Sequence, residues 1–399
     1  MINPFKVLRA SLGISSILIG ASSQPAWSAS SYKVVWQFNG NTSGGSPTSS
    51  LLDAAGVLYG TTEDGGGGNS VGVIYSFYPT SGDEVVLDDF SYGGPSSYAP
   101  DANLISVGGT LYGTTRGDGV GSCQSPYCGA VFSVDPITYV EKAVYVFGGG
   151  KDGAVPDAGL INVDGTLYGT TSRGGAVGAG TVFAVNLSTG AERVLYSFRG
   201  TGGGTGPKAN LIFRGGALYG TTEKGGTGTC AHGCGTVFAL NPRTGAETVV
   251  YSFAGGSDGA SPIAGVFNAG AVLYGTTSEG GTGNCSYGCG TVFAVNLRTG
   301  SESVLHSFAS GNDGETPSAS VIDVKGTLYG TTKYGGDGGR GTLFALNLKT
   351  GHETILHAFQ RTDDGTYPEA GLIEVGGTLY GTTNAGGYAD SGTIFAYTP

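Results

Sequence analysis

The chain has 399 residues, of which 78 are glycine and only 12% are charged, yet hydrophobic residues reach 39%, with 22 Tyr and 17 Phe. That much apolar and aromatic surface can build a core, which excludes a disordered chain, and the 15 prolines with no three-residue glycine period exclude collagen. A net charge of -11 without any run of Lys or Arg argues against a phosphate-binding surface, so nucleic acid is not an expected partner.

At the start of the chain, Lys6 and Arg9 precede an apolar stretch, Leu12 to Ala21, followed by Pro25 and the small-residue patterns Ala26-Trp27-Ser28 and Ser28-Ala29-Ser30. This reads as a signal peptide over residues 1–30. The stretch is shorter than the roughly 20 apolar residues of a membrane anchor and is broken by Gly and Ser. Nothing later is long and apolar enough to span a membrane either. The expectation is a secreted protein, periplasmic or extracellular, whose residues 31–399 form one domain and act as a monomer.

A strand is expected next, over Tyr32 to Phe38, and after it a repeat begins. The pentapeptide Leu-Tyr-Gly-Thr-Thr starts at Leu58, Leu111, Leu167, Leu218, Leu273, Leu328 and Leu379, and 11 residues before each leucine stands a proline, from Pro47 to Pro368. Each unit reads as four short strands. In the third unit the first is Ala158 to Val163, and an Asp164-Gly165 turn, suited to a type I′ hairpin, leads into Thr166 to Thr171. A glycine-rich loop follows, then Gly180 to Asn186, a turn, and the alternating strand Glu192 to Phe198. No stretch keeps a 3.6-residue apolar period, so no substantial helix is expected. Repeats of about 50 residues with four antiparallel strands have the size of a propeller blade, and seven copies predict an all-β, seven-bladed β-propeller of four-stranded blades.

The ends agree with that count. The last unit stops after its third strand, Gly392 to Tyr397, while Lys33 to Phe38 matches fourth strands such as Thr248 to Phe253. The N-terminal strand is therefore expected to complete the last blade and close the ring, covering an edge that would otherwise invite aggregation.

The Leu-Tyr-Gly-Thr-Thr cores, with Gly-Thr-Val-Phe strands such as Gly180 to Phe183 and Gly290 to Phe293, resemble the bacterial choice-of-anchor GloVer tandem repeats. The resemblance spans essentially the whole mature chain and implies a secreted or surface protein. It brings no catalytic motif, and this chain departs from the anchored pattern by ending at Pro399 directly after a strand.

Chemistry-bearing motifs are few. Gly68 to Gly72 and Gly255 to Gly259 match Gly-x-Ser-x-Gly, and Gly336 to Gly341 imitates a dinucleotide fingerprint, but none joins a strand to a helix. His306 and His357 occupy the fourth-strand place that other units fill with Tyr145, Tyr196 and Tyr251, and so read as aromatic substitutes packed between blades. His352 falls in a hairpin turn. Six cysteines form the close pairs Cys123/Cys128, Cys230/Cys234 and Cys285/Cys289, read as local disulfides; His232 inside the second pair raises zinc as an alternative, and swapping between the fourth and fifth units is another. No metal or cofactor is expected.

What varies between units carries the functional reading. The residue after each repeated proline, Thr48, Asp101, Asp157, Lys208, Ile263, Ser318 and Glu369, should ring one mouth of the central channel. The pair after each Leu-Tyr-Gly-Thr-Thr adds Arg116, Arg173 and Lys224 on the same face. The candidate ligand-binding residues are thus Asp101, Asp157, Lys208, Glu369, Arg116, Arg173 and Lys224, and Asp101, Asp157 and Lys208 are expected as exposed loop charges whose removal spares stability. The function read from them is an extracellular module binding a glycan or a protein. The alternatives are a secreted polysaccharide lyase or glycoside hydrolase, with these carboxylates as acid and base beside a cationic clamp, and a structural surface protein.

Overall fold

The computed structural model describes residues 31–67, 70–91, 99–117, 128–200, 202–360 and 363–399. The expected signal peptide, Cys123, and Gly68 and Asn69 of the first Gly-x-Ser-x-Gly match lie outside the described residues. Seven antiparallel four-stranded sheets make the seven blades of a β-propeller. We number them by their Leu-Tyr-Gly-Thr-Thr strands: Val57–Thr62, Thr110–Thr115, Thr166–Thr171, Ala217–Thr222, Val272–Thr277, Thr327–Thr332 and Thr378–Thr383. Among the described residues the only helical segments are two three-residue 3-10 turns, Gly150–Asp152 and Gly256–Asp258, and no helix is long and apolar enough to cross a membrane.

The repeated motif follows from what each of its residues meets. Leu167 points into the core between blades two and three and is fully buried. Gly169 faces the ring of Phe183 on the third strand; a Cβ there would lie 2.5 Å from that ring and 2.9 Å from Leu160, so the Phe of Gly-Thr-Val-Phe requires the Gly of Leu-Tyr-Gly-Thr-Thr. The last threonine of the motif bonds the third strand, as Thr171 Oγ1 does to Thr181 Oγ1 at 2.8 Å. The first threonine reaches the next blade, as Thr114 Oγ1 donates to the Ala158 carbonyl at 2.9 Å and Thr221 Oγ1 to that of Ala264 at 2.9 Å.

The repeated proline seats each blade on the one before. Gly180, at φ +98°, has no room for a side chain because Pro207 of the next unit lies against it, and Gly392 meets Pro47 in the same way across the ring closure. One aromatic contact fills each junction: Phe38–Tyr75, Phe90–Phe132, Phe147–Phe183, Phe198–Phe238, Phe253–Phe293, Phe308–Phe344 and Phe359–Phe395, all edge to face at 4.9 to 5.2 Å between centroids.

The closing strand is Ser31–Gln37, antiparallel to Thr393–Thr398, with the order Ser31–Gln37, Thr393–Thr398, Thr378–Thr383, Ile373–Val375 in blade seven. Its bulge between Val34 and Trp36 corresponds to those in the other blades, such as Val182/Phe183. The innermost strands are shorter than expected. In blade three only Ile161–Val163 joins the ladder, because residues nearer the axis bond sideways to neighbouring blades instead. Gly159 N donates to Asn210 Oδ1 at 2.6 Å, Ser50 N to Asn103 Oδ1 at 2.7 Å, and Gly371 N to Ser50 Oγ at 2.9 Å.

Candidate functional site

The linker that enters each blade and the loop after each Leu-Tyr-Gly-Thr-Thr strand meet on one face. Antiparallel bridges join them: Ala154 with Arg173, Thr205 with Lys224, Glu315 with Tyr334 and Thr366 with Ala385. All seven residues that follow the repeated prolines line one cavity on the propeller axis, with a wall of Ala, Gly, Ser and Asn from the segments that lead into the first strands beneath them. The structure therefore brings the expected residues to one mouth.

Their contacts differ from those of free loop charges. Asp101 and Asp157 converge on a single cation from blade two: Arg116 Nη2 lies 2.6 Å from Asp101 Oδ2, its Nε donates to Asp157 Oδ1 at 2.8 Å, and its Nη1 reaches Glu63 Oε1 at 3.4 Å. The side chains of Asp101 and Asp157 are only 7% and 9% exposed, which corrects the expectation of solvated charges. Burial pushes the Asp101 carboxyl up to about 7; Arg116 opposes the shift, and the charges of Asp157 and Glu63 add to it. Oδ1 of Asp101 is buried without a hydrogen-bond partner. Three carboxylates around one guanidinium leave this part of the mouth acidic.

Lys208 joins Glu223 at 2.8 Å rather than the aspartates, and Lys224 meets the same glutamate at 3.5 Å. Burial works to raise Glu223, but the two lysines outweigh it and hold its carboxyl below the usual range. Glu369 pairs with Lys333 at 2.7 Å. Arg173 is exposed and has no ion pair among the described residues; with Lys208, Arg116, Asp157 and Ser172 it lines a cleft beside the mouth.

A second cleft lies on this face between blades six and seven, lined by Arg340, Thr366, Tyr367, Tyr388 and Asp390. The Arg340 guanidinium sits 5.1 Å over the Tyr367 ring, and Tyr334 meets Tyr367 edge to face at 5.5 Å. Tyr388 is 85% exposed and Tyr334 39%. Tyr367 and Tyr388 were not singled out by the sequence reading, although a signal was present. Tyr367 precedes its repeated proline, a place held elsewhere by Ser46, Ala99, Val155, Gly206, Ser261 and Thr316. All seven residues there share a left-handed φ of 54° to 65°, so a large aromatic at that place departs from the pattern.

The cysteine loops border this face. Disulfides join Cys230 to Cys234 and Cys285 to Cys289, so neither zinc at His232 nor swapping between units four and five holds. Cys128 is disulfide-bonded too. Of the other motifs, Gly336 to Gly341 is a loop between strands, and Ser257 lies in a 3-10 turn rather than a strand-to-helix elbow.

No curated protein matches the chain by sequence. Among solved structures the fold is similar to an oligogalacturonate lyase in complex with manganese, at 12% identity over 92% of this chain and 96% of that one, with a TM-score of 0.51. The extracellular domain of an inferred hybrid two-component system of B. thetaiotaomicron gives 0.56 at 13% identity, over 93% of this chain and 42% of that one. An inferred 6-phosphogluconolactonase of Bacteroides uniformis gives 0.51 at 15%, over 79% and 85%. At such identities the likeness is one of fold. The model of the Gloeobacter/Verrucomicrobia repeat matches residues 121–287 and 282–399, and the chain, built of that repeat seven times around one axis, belongs to this family.

Proposed function

We propose that this propeller is a secreted binding module whose face of linkers and Leu-Tyr-Gly-Thr-Thr loops holds a glycan. The observation that carries the reading is the cleft of Arg340, Tyr367 and Tyr388 with Tyr334 beside it, because the Tyr367 ring, held by Arg340 and Tyr334, and the exposed Tyr388 ring offer flat apolar surfaces to sugar rings. Arg173 and Lys208 on the same face would meet acidic groups of such a ligand. A glycan array with the mature chain, followed by titration of any hit against Tyr388→Ala and Tyr334→Ala, tests this. Loss of affinity by tenfold or more with unchanged folding supports it; equal affinity in both variants rejects it, and capture of a protein ligand only would move the reading to the protein alternative.

A second reading, a polysaccharide lyase or hydrolase, is favoured by Asp101. A carboxyl held near neutrality at a pocket mouth is suited to proton transfer. Product release from a panel of polysaccharides, abolished by Asp101→Asn, would establish it. No release from any of them would leave binding as the function.

A further inference from the structure

We propose that His306, Asp313 and Glu353, at the junction of blades five and six, form a binding site for a divalent first-row transition metal such as Zn2+. The three come from different elements: His306 from the outer strand Glu302–Ser307, Asp313 from the linker that follows, and Glu353 from the start of the outer strand Glu353–Ala358. Their ligand atoms all lie within 4.8 Å of one another, and His306 Nε2 is 3.1 Å from Asp313 Oδ1. In a tetrahedral zinc site such atoms stand about 3.3 Å apart, from bonds of about 2.0 to 2.1 Å, so small side-chain rotations close the set.

The other junctions show what is particular here. Between blades two and three the corresponding residues are Tyr145, Asp152 and Glu192, and between four and five Tyr251, Asp258 and Glu302. There the phenol donates its proton to the aspartate, at 2.8 Å and 2.7 Å. Between six and seven His357 faces Asp364, but Tyr32 stacks on the imidazole at 3.5 Å in the place of the glutamate. Among the described junctions only that of blades five and six sets an imidazole nitrogen against two carboxylates.

The donor set fits a dication in number and kind. A neutral imidazole and two carboxylates carry two negative charges, and the mixed nitrogen and oxygen donors suit zinc or manganese rather than calcium, which takes oxygen alone. Oε1 of Glu353 is buried with no hydrogen-bond partner, as is that of its counterparts Glu192, Glu247 and Glu302, but only here does an imidazole stand beside it so that a metal would satisfy it. The other Asp313 oxygen, Oδ2, accepts the Ala309 N–H at 2.6 Å, which fixes the carboxylate's orientation. His306 and Asp313 are 19% and 21% exposed, so water can reach the remaining coordination positions. The site lies outside both clefts on the loop face and is independent of the glycan reading.

The test uses the mature chain stripped with chelator and titrated calorimetrically with Zn2+, and with Ca2+ for contrast. One zinc per chain is expected, with a Kd at least tenfold weaker in His306→Tyr and in Glu353→Gln. His306→Tyr reproduces the Tyr-Asp-Glu set of the blade four/five junction, so its metal-free Tm should match that of the parent within about 2 °C, while zinc raises the Tm of the parent alone. Undiminished zinc binding in His306→Tyr, or no stoichiometric zinc in the parent, would overturn the assignment.

Discussion

Phe38 makes ring closure measurable. It follows the closing strand, is 1% exposed, and sits in a cluster with Leu51, Leu58, Val73, Phe77 and Ile394 while meeting Tyr75 edge to face at 5.0 Å. Phe253 does the same between blades four and five, 5.0 Å from Phe293 and fully buried. Truncating a buried Phe to Ala costs about 3 to 5 kcal/mol, from lost transfer energy and the cavity left behind. If Ser31–Gln37 is an integral outer strand, Phe38→Ala and Phe253→Ala should cost the same within about 1 kcal/mol. For the 369 residues from 31 to 399, an unfolding entropy of about 2.1 cal/mol/K per residue converts the loss into a Tm lower by roughly 4 to 7 °C. Calorimetry of both variants and the parent, with urea midpoints alongside, gives the comparison. A Phe38→Ala protein that melts with the parent while Phe253→Ala loses several degrees would refute closure. Truncation to a start at Gly40 should cost more still, since it also removes the ladder to Thr393–Thr398.

Gly169→Ala should destabilise by about 1 to 3 kcal/mol through overpacking, since its Cβ would fall 2.5 Å from the Phe183 ring; an unchanged urea midpoint would contradict the account of the motif. Arg116→Ala leaves Asp101 and Asp157 without their cation. Because Arg116 is 39% exposed, the cost should be about 2 kcal/mol, below the 3 to 5 typical of a fully buried pair, and it should shrink at pH 5 as the Asp101 carboxyl, pushed up to about 7 by burial, takes up its proton; a larger loss at pH 5 than at pH 8 would reverse the argument. Burial and the charges of Asp152 and Asp258 push Glu192 and Glu302 up to about 7 and about 8 from an ordinary 4.5. A pKa raised on folding contributes stability that is complete below the unfolded value and is lost as pH climbs through the folded one, so Tm should fall between pH 6 and 9. The double variant Glu192→Gln/Glu302→Gln should flatten that decline, and a Tm that rises across the interval would count against it. Each described disulfide closes a loop with a separation of only 4, so replacing Cys285 and Cys289 by Ala should cost no more than about 2 kcal/mol, and intact mass of the protein purified without reductant, with alkylation, should reveal no free thiol.

The fold was legible because its information is repeated. Leu, Gly and both threonines of the motif meet the same kind of partner in each blade, so one physical requirement was written in the sequence seven times, and the proline 11 residues upstream fixed the approach of neighbouring blades. Closure was legible for a related reason, since Lys33 to Phe38 carries the pattern of a fourth strand whose blade lay at the other end of the chain. The length of the first strands was not, because Gly159 and Ser50 exchange ladder bonds for lateral ones to Asn210 and Asn103, and only the narrow axis makes that exchange favourable.

The loop face is the opposite case. A residue after a repeated proline has a position set by the fold and a partner set by neither fold nor repeat. Asp101 and Asp157 stand on either side of Arg116 and pair with it, whereas Lys208, next in the ring, turns to Glu223 of its own blade. Which contact forms depends on side-chain length and on which carboxylate is already neutralised. A substitution that departs from the other six units is then more telling than a charge by itself. Arg116 is the only cation among the first residues after Leu-Tyr-Gly-Thr-Thr apart from Lys333, and each is bonded to carboxylates at the mouth; Tyr367 replaces small or aliphatic residues and anchors the tyrosine cleft. In a protein whose blades are built alike, such departures mark where the ring is not symmetric, and a ligand that binds one orientation on a seven-fold scaffold must read that asymmetry.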